Sequence, residues 1–191
     1  VDWIASNSDA VSALTSAGTL VVWLVYLQVF ISSYRSSLRA TLVITRGAGE
    51  GLAARCLLAN MSSGAVYVSS VQIRLALEGG DVAGAVTNID TEGTTRQGPL
   101  EAGASRDLGS FGDLVRQAFA AAARPPSSFR RMTVEAVGIY GSEDLPVGAR
   151  RTFLIRGDGA TTALRSEELW TEQIRGRRDR RKLMADLARD Q

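Results

Sequence analysis

The sequence predicts a mainly β chain built as a single N-terminal transmembrane helix followed by an antiparallel β-sandwich. Three observations carry this reading. From Ala10 to Tyr34, 25 residues pass without a charged side chain. Downstream, short runs rich in Val, Ile and Leu recur between clusters of Gly, Asn and Ser, the pattern of strands joined by tight turns. Between Arg175 and Lys182, six residues are basic and one is acidic, which marks a separate C-terminal segment.

The apolar stretch comes first. A helix rises about 1.5 Å per residue, so roughly 20 apolar residues cross a hydrocarbon layer of ~30 Å. Residues 10–34 are therefore assigned as the span and 1–9 as an extracytoplasmic segment. Two other readings compete. A cleavable signal peptide has a basic start and a small-residue cleavage site, whereas this stretch is preceded by Asp2 and Asp9 and runs into YRSSLR. A buried core helix is favoured by Thr15, Ser16, Thr19 and Gln28, but such a helix keeps a polar face, of which Leu20 to Ile31 shows almost none. Basic residues are held on the cytoplasmic side. Arg35, Arg39 and Arg46 follow the stretch, so the body is expected in the cytoplasm of a bacterial-type inner membrane or its equivalent. Tyr34, with Trp3 on the other side, suits the interfacial layer. Ser12, Ser16 and Gly18, with Ala13 and Ala17, are candidates for close packing against another helix.

What remains is the size of one domain with a tail: 35–158 as the cytoplasmic β domain and 159–191 as a basic helical tail. Net charge is +2 and the pI about 9.0, so basicity matters only where it is concentrated. The single cysteine, Cys56, cannot form an internal disulfide and lies in an apolar run, which predicts an inert core thiol. Histidine is absent, which excludes Ser-His and Cys-His pairs, His-based metal clusters and an imidazole switch. Asp81, Asp90 and Glu92 match no ligand spacing and read as solvated loop acids. No cofactor is expected.

Within the body, Leu38 to Thr45 reads as a strand ending at Gly47-Ala48-Gly49-Glu50-Gly51. That turn resembles a dinucleotide fingerprint only in part, because the motif's last glycine position is occupied by Leu52, and a hairpin connection is the better reading. Leu52 to Met61 resumes an apolar run. Ala65 to Leu77 alternates with a slip at Ser69-Ser70, the sign of a bulge. These three runs suggest a meander or the front half of a sandwich. Val82 to Ile89 offers another short strand, and residues 90–107 read as a long polar loop where binding could reside. From Phe111 the period becomes helical, with Ser110 as N-cap and Asp113 at N3, until Pro125 and Pro126 stop it. Met132 to Tyr140 and Val147 to Ile155 read as a strand pair. The sum is six or seven strands with one inserted helix, immunoglobulin-like in architecture, with a smaller α+β sheet as the alternative.

The tail from Ser166 reads as a helix capped by Ser166, with Leu169, Trp170, Gln173 and Ile174 on one side. Arg175, Arg177, Arg178, Arg180, Arg181 and Lys182 are candidates for contact with anionic lipid or an acidic partner. Nucleic acid is disfavoured, because no aromatic platform accompanies the charges. The expected function is that of a non-catalytic, single-pass accessory or scaffolding subunit. Its partners would be membrane lipids and other membrane subunits or further copies of itself, engaged through the helix and through free strand edges. The alternative is a membrane-tethered enzyme or small-ligand sensor using the 90–107 loop with Glu135 or Tyr140.

Overall fold

A computed structural model of the chain describes residues 8–37, 39–86, 95–141, 146–157, 163–176, 178–181 and 183. It divides into two compact units, residues 1–39 and 40–191.

The first unit is one helix, α1 (Ser8–Ser37). Asp9 to Tyr34 is long and apolar enough, by length and composition, to cross a membrane, and none of it is buried. Leu20 to Ile31 are all exposed, so the stretch is not a core helix. The Thr15 and Thr19 hydroxyls donate to the carbonyls of Val11 and Thr15, each at 2.8 Å. Such back-bonding hides the polar group against its own helix, which keeps these threonines compatible with an apolar surrounding.

The second unit is mostly antiparallel sheet. Its strands are β1 (Leu42–Arg46), β2 (Arg55–Asn60), β3 (Val66–Ala76), β4 (Val82–Ala85), β5 (Gly98–Leu100), β6 (Ser105–Ser110), β7 (Arg131–Tyr140), β8 (Val147–Arg156), β9 (Ala163–Ser166) and β10 (Glu172–Ile174). A second helix, α2 (Phe111–Ala121), follows β6. One sheet has the order β1-β2-β6, and the other β10-β8-β7-β3-β4, with β5 also on β3 and β9 also on β8. Alternate residues of both sheets, among them Leu42, Ile44, Cys56, Leu58, Val71, Ile73, Met132, Val134 and Phe153, meet in one core.

Several local signals act as read. The glycine-rich turn joins β1 to β2 as an antiparallel hairpin. Register between β3 and β7 shifts at Val68/Ser70, where Ser69 is the extra residue and its hydroxyl donates to Val137 O at 3.1 Å. The bulge lets Val66 and Val68 before it, and Val71, Ile73 and Leu75 after it, all face the core. β7 and β8 pair as expected.

Other expectations are corrected. The described residues hold ten strands, not six or seven. β3 pairs with β7, β4 and β5 and not with β2, so the first three runs are not a meander. The 90–107 segment is not one loop: 95–107 includes β5 and the start of β6, while 90–94 lie outside the described residues. The tail is not a helix from Ser166. Ala163–Ser166 pairs with β8, residues 167–170 bend, and Glu172–Ile174 pairs with β8 again. Leu169 and Trp170 are exposed, while Ile174 is buried. Hydrogen bonding to β8 and β1 outweighs the local helical rhythm, and among the described residues of the tail 178–181 and 183 are the helical ones.

Candidate functional site

On α1, at about 100° per residue, Ser12 and Ser16 share a face with Thr15 and Thr19, but Gly18 falls some 160° round from Ser16. The three packing candidates thus do not form one stripe. All are exposed, and a Cβ on Gly18 would meet nothing within 4 Å.

The body offers its partners less strand edge than the sequence suggests. β1 has β2 on one side only, and its outward backbone groups belong to Ala40, Leu42 and Ile44. Leu42 N–H donates to Gln173 Oε1 at 3.1 Å and Gln173 Nε2 donates back to Leu42 O at 2.5 Å. Ile44 N–H donates to Thr171 Oγ1 at 3.0 Å, and Ile44 O accepts from that hydroxyl at 3.1 Å and from Arg151 Nη1 at 2.6 Å. Arg175 Nη2 donates to Ala40 O at 3.4 Å and to Thr41 Oγ1 at 3.1 Å. Side chains of 171–175 therefore stand in for a neighbouring strand and close this edge to outside pairing. Arg106 and Arg96 do comparable work elsewhere: Arg106 donates to the carbonyls of Arg96, Gly98 and Pro99, and Arg96 Nε to Leu108 O at 2.6 Å. Lys182 is the only lysine in the chain. The arginine fork serves several carbonyls at once, which a single ammonium does less well.

The outer face of the larger sheet carries one polar row. Strand pairing aligns Ala85, Gln72, Glu135, Arg150 and Glu172 across five strands. Arg150 Nε donates to Glu135 Oε2 at 2.8 Å, with Glu172 3.9 Å away on its other side. Burial works against the Arg150 charge, but Glu135, then Glu172 and Asp179, outweigh it, and the guanidinium is held above its ordinary value. Beside this row lies a shallow hollow of about 290 Å³ lined by Arg74, Thr133, Glu135, Arg150 and Thr152.

The chemistry candidates do not converge. Glu135 lies in that row. Tyr140 is buried on the core side, its hydroxyl 3.1 Å from Ser63 Oγ. Asp107 pairs with Arg55 at 2.7 Å and accepts from Gly109 N–H. Cys56 is buried, and burial first, then the Asp107 charge, push its thiol up to about 12, which makes it a poor nucleophile. Among the described residues, no group of His, Cys, Asp or Glu could hold a metal ion.

The basic run divides by role. Arg175 is committed to Ala40 and Thr41. Arg180 is half-buried and its N–H donates to Gly176 O at 2.9 Å. Arg178 and Arg181 are exposed. Arg177 and Lys182 lie outside the described residues. Leu183 is buried against Val137 and Ile174, on the outer face at Gly148, where a Cβ would come within 3.0 Å of Leu183 and 3.1 Å of Ile174. The sequence reading missed Thr171, Gln173 and Arg151 as edge-closing residues. Their signal was the period-two order of Thr171, Gln173 and Arg175.

Comparisons of the chain with protein-family models, with curated proteins and with solved structures returned no match.

Proposed function

We propose that the chain is a single-pass membrane protein that acts by binding rather than by catalysis, as an accessory or scaffolding subunit. In this reading its immunoglobulin-like body faces the cytoplasm, and α1 and the outer face of the larger sheet contact partner proteins. One observation carries it: α1 has no charged side chain from Ala10 to Tyr34 and buries none of its span-length, predominantly apolar stretch, a helix that water does not tolerate and lipid does. The internal pairing of Glu135, Asp107 and Tyr140 supports a binding role, and Arg35, Arg39 and Arg46 after the span support the sidedness. The closed edge of β1 moves the expected protein contact from strand addition to a sheet face.

Alkaline carbonate extraction followed by blue-native electrophoresis in mild detergent tests the reading. The full chain should stay in the membrane pellet and migrate in a complex with other subunits. Release into the supernatant, mature protein lacking residues 10–34, or migration solely as a free monomer would overturn it.

A further inference from the structure

We infer that a trough on the larger sheet binds an extended peptide segment of a partner protein, one that carries two acidic side chains about five residues apart around a bulky apolar one. This deepens the protein-binding reading and rests on it.

The trough is formed by two hollows that adjoin. The one of about 290 Å³ lies beside Glu135 and Arg150 on the outer face. A larger one, of about 830 Å³, lies at the ends of β3, β7 and β8, where Leu77, Phe129, Leu154 and Ile155 line it together with Arg130 and Arg156. Arg131 lines both. Strand pairing sets Arg131 between Ala76 and Leu154 on one level of the sheet, with Arg74, Thr133 and Thr152 on the next. A linear occupant fits such a course better than a compact one.

Its charge is one-sided. Each acid that lines either hollow is already in an ion pair: Glu135 and Glu172 with Arg150, Glu167 with Arg131, and Glu78 with Arg130. The Arg130–Glu78 contact, at 3.7 Å between largely exposed side chains, holds its arginine weakly. Arg74 and Arg156 are exposed and enter no ion pair among the described residues. Among those residues the trough therefore offers surplus cations and no surplus anion, the complement of an acidic segment. Guanidinium forks also match carboxylates in geometry.

Spacing selects a peptide over a small anion. Ile73 and Leu75 are buried in the core and Ile155 packs against it, so alternation turns Arg74 and Arg156 to the outer face. Arg74 on β3 is level with Thr152 on β8, with β7 between them, and Arg156 lies four residues beyond Thr152. With strands about 4.8 Å apart and a rise of about 3.3 Å per residue, the two Cα atoms are roughly 16 Å apart, which an extended peptide covers in about five residues. A single small anion does not reach both. Leu154 and the aliphatic stem of Arg131 lie between them, where the segment's apolar side chain would rest.

The test pans a phage-displayed library of random peptides, long enough to span the trough, against the full chain in nanodiscs, with empty nanodiscs as counter-selection. Selected peptides are then measured by fluorescence anisotropy. They should share two Asp or Glu residues about five apart with Leu, Ile, Phe or Trp between them. R74A/R156A in the protein, or Gln for both acids in the peptide, should weaken binding about tenfold. Arg124→Ala, at an exposed arginine outside both hollows, should change it less than about twofold. All three arginines are exposed, so the variants should keep the wild-type melting temperature. Selection of peptides without the acids, affinity unchanged in R74A/R156A, or an equal loss in R124A would overturn the inference. So would a dimer of the chain, or a bound oligonucleotide, that excludes the peptides and is lost in R74A/R156A. Blue-native electrophoresis separates the two readings: if the complex persists in R74A/R156A and no acidic peptide is selected, the chain still binds partners and only the trough fails.

Discussion

Leu24 in α1 is 57% exposed and Leu114 in α2 is fully buried, although both are leucines in regular helices. The difference lies in what surrounds them. α2 places Phe111, Leu114, Val115, Ala118 and Phe119 on one face, all buried, and leaves Arg116 and Ala120 outside. Between Leu20 and Ile31 α1 has Gln28 as its one amide among side chains that are apolar or aromatic on every side, so no rotation would give it one face for a core and another for water. Hydrophobic content alone therefore does not say where a helix belongs, whereas its distribution around the axis does. The largest expected effect comes from breaking the uniform one. Placing two charges in the middle of α1, Val22→Arg with Val25→Arg, costs about 3 kcal/mol per charge for membrane insertion. Carbonate extraction should then find most of the chain in the supernatant, while the melting temperature of the β unit is unchanged. Continued retention in the pellet would show that α1 does not hold the protein in the bilayer.

The one-sided helix should respond in the opposite sense. Phe111 meets Phe153 edge-on, ring centroids 4.8 Å apart, and its N–H donates to Ala54 O at 2.9 Å. Phe111→Ala removes a fully buried ring and should cost about 3–5 kcal/mol in unfolding free energy, with membrane retention intact. Chemical denaturation in detergent reads this directly. The Cys56 thiol, two residues beyond Ala54, gives a second readout. It should resist alkylation at pH 8 in the wild type and label measurably faster in the variant as opening becomes more frequent. α2 also approaches β4 closely, since a Cβ on Gly84 would come within 2.9 Å of Ala121 Cβ and 3.0 Å of Ala118 O. Gly84→Val should therefore destabilise the same region, by lifting the helix rather than emptying the core.

Between these helices and the sheet edges runs the boundary of what a single sequence discloses. The β1–β2 and β7–β8 hairpins, the bulge at Ser69 and the cap at Ser110 were legible because each depends on residues close together along the chain. β5 was not. Gly98 and Pro99 have little strand propensity, and they become strand because Val68 and Tyr67 lie opposite them. The segment after Ser166 misled for the same reason: its local pattern favours a helix, but Thr171 and Gln173 reach partners 127 and 131 residues away. Of the candidate site, the location of the basic run was readable, whereas its division into a latch at Arg175 and an outward pair at Arg178 and Arg181 needed three dimensions. Removing the latch chemistry tests that lesson. Thr171→Val keeps the shape but leaves the buried Ile44 N–H without its acceptor, which should cost about 1–3 kcal/mol. Faster amide exchange at Ile44 than at Leu58, in the centre of the same sheet, would locate the loss at the edge.

The smallest effect belongs to the start of α2. Ser110 Oγ accepts from Asp113 N–H at 3.1 Å. The Asp113 carboxylate is in turn held below its ordinary value, first by the Ser110 hydroxyl, against a smaller opposing effect of burial, and then by Arg116 and the Ser110 N–H. Ser110→Ala should cost about 1 kcal/mol. The sign of the pH dependence follows from the lowered value. A carboxyl that is more acidic in the folded than in the unfolded chain contributes stability that is fully present above the unfolded value, near 4, and lost as pH falls through the folded one. The difference in melting temperature between wild type and Asp113→Asn should therefore be constant from pH 7 to about 5 and shrink steadily from about 4 downward. A difference that does not change with pH would mean that the Asp113 charge takes no part in the cap and that the hydroxyl of Ser110 alone starts the helix.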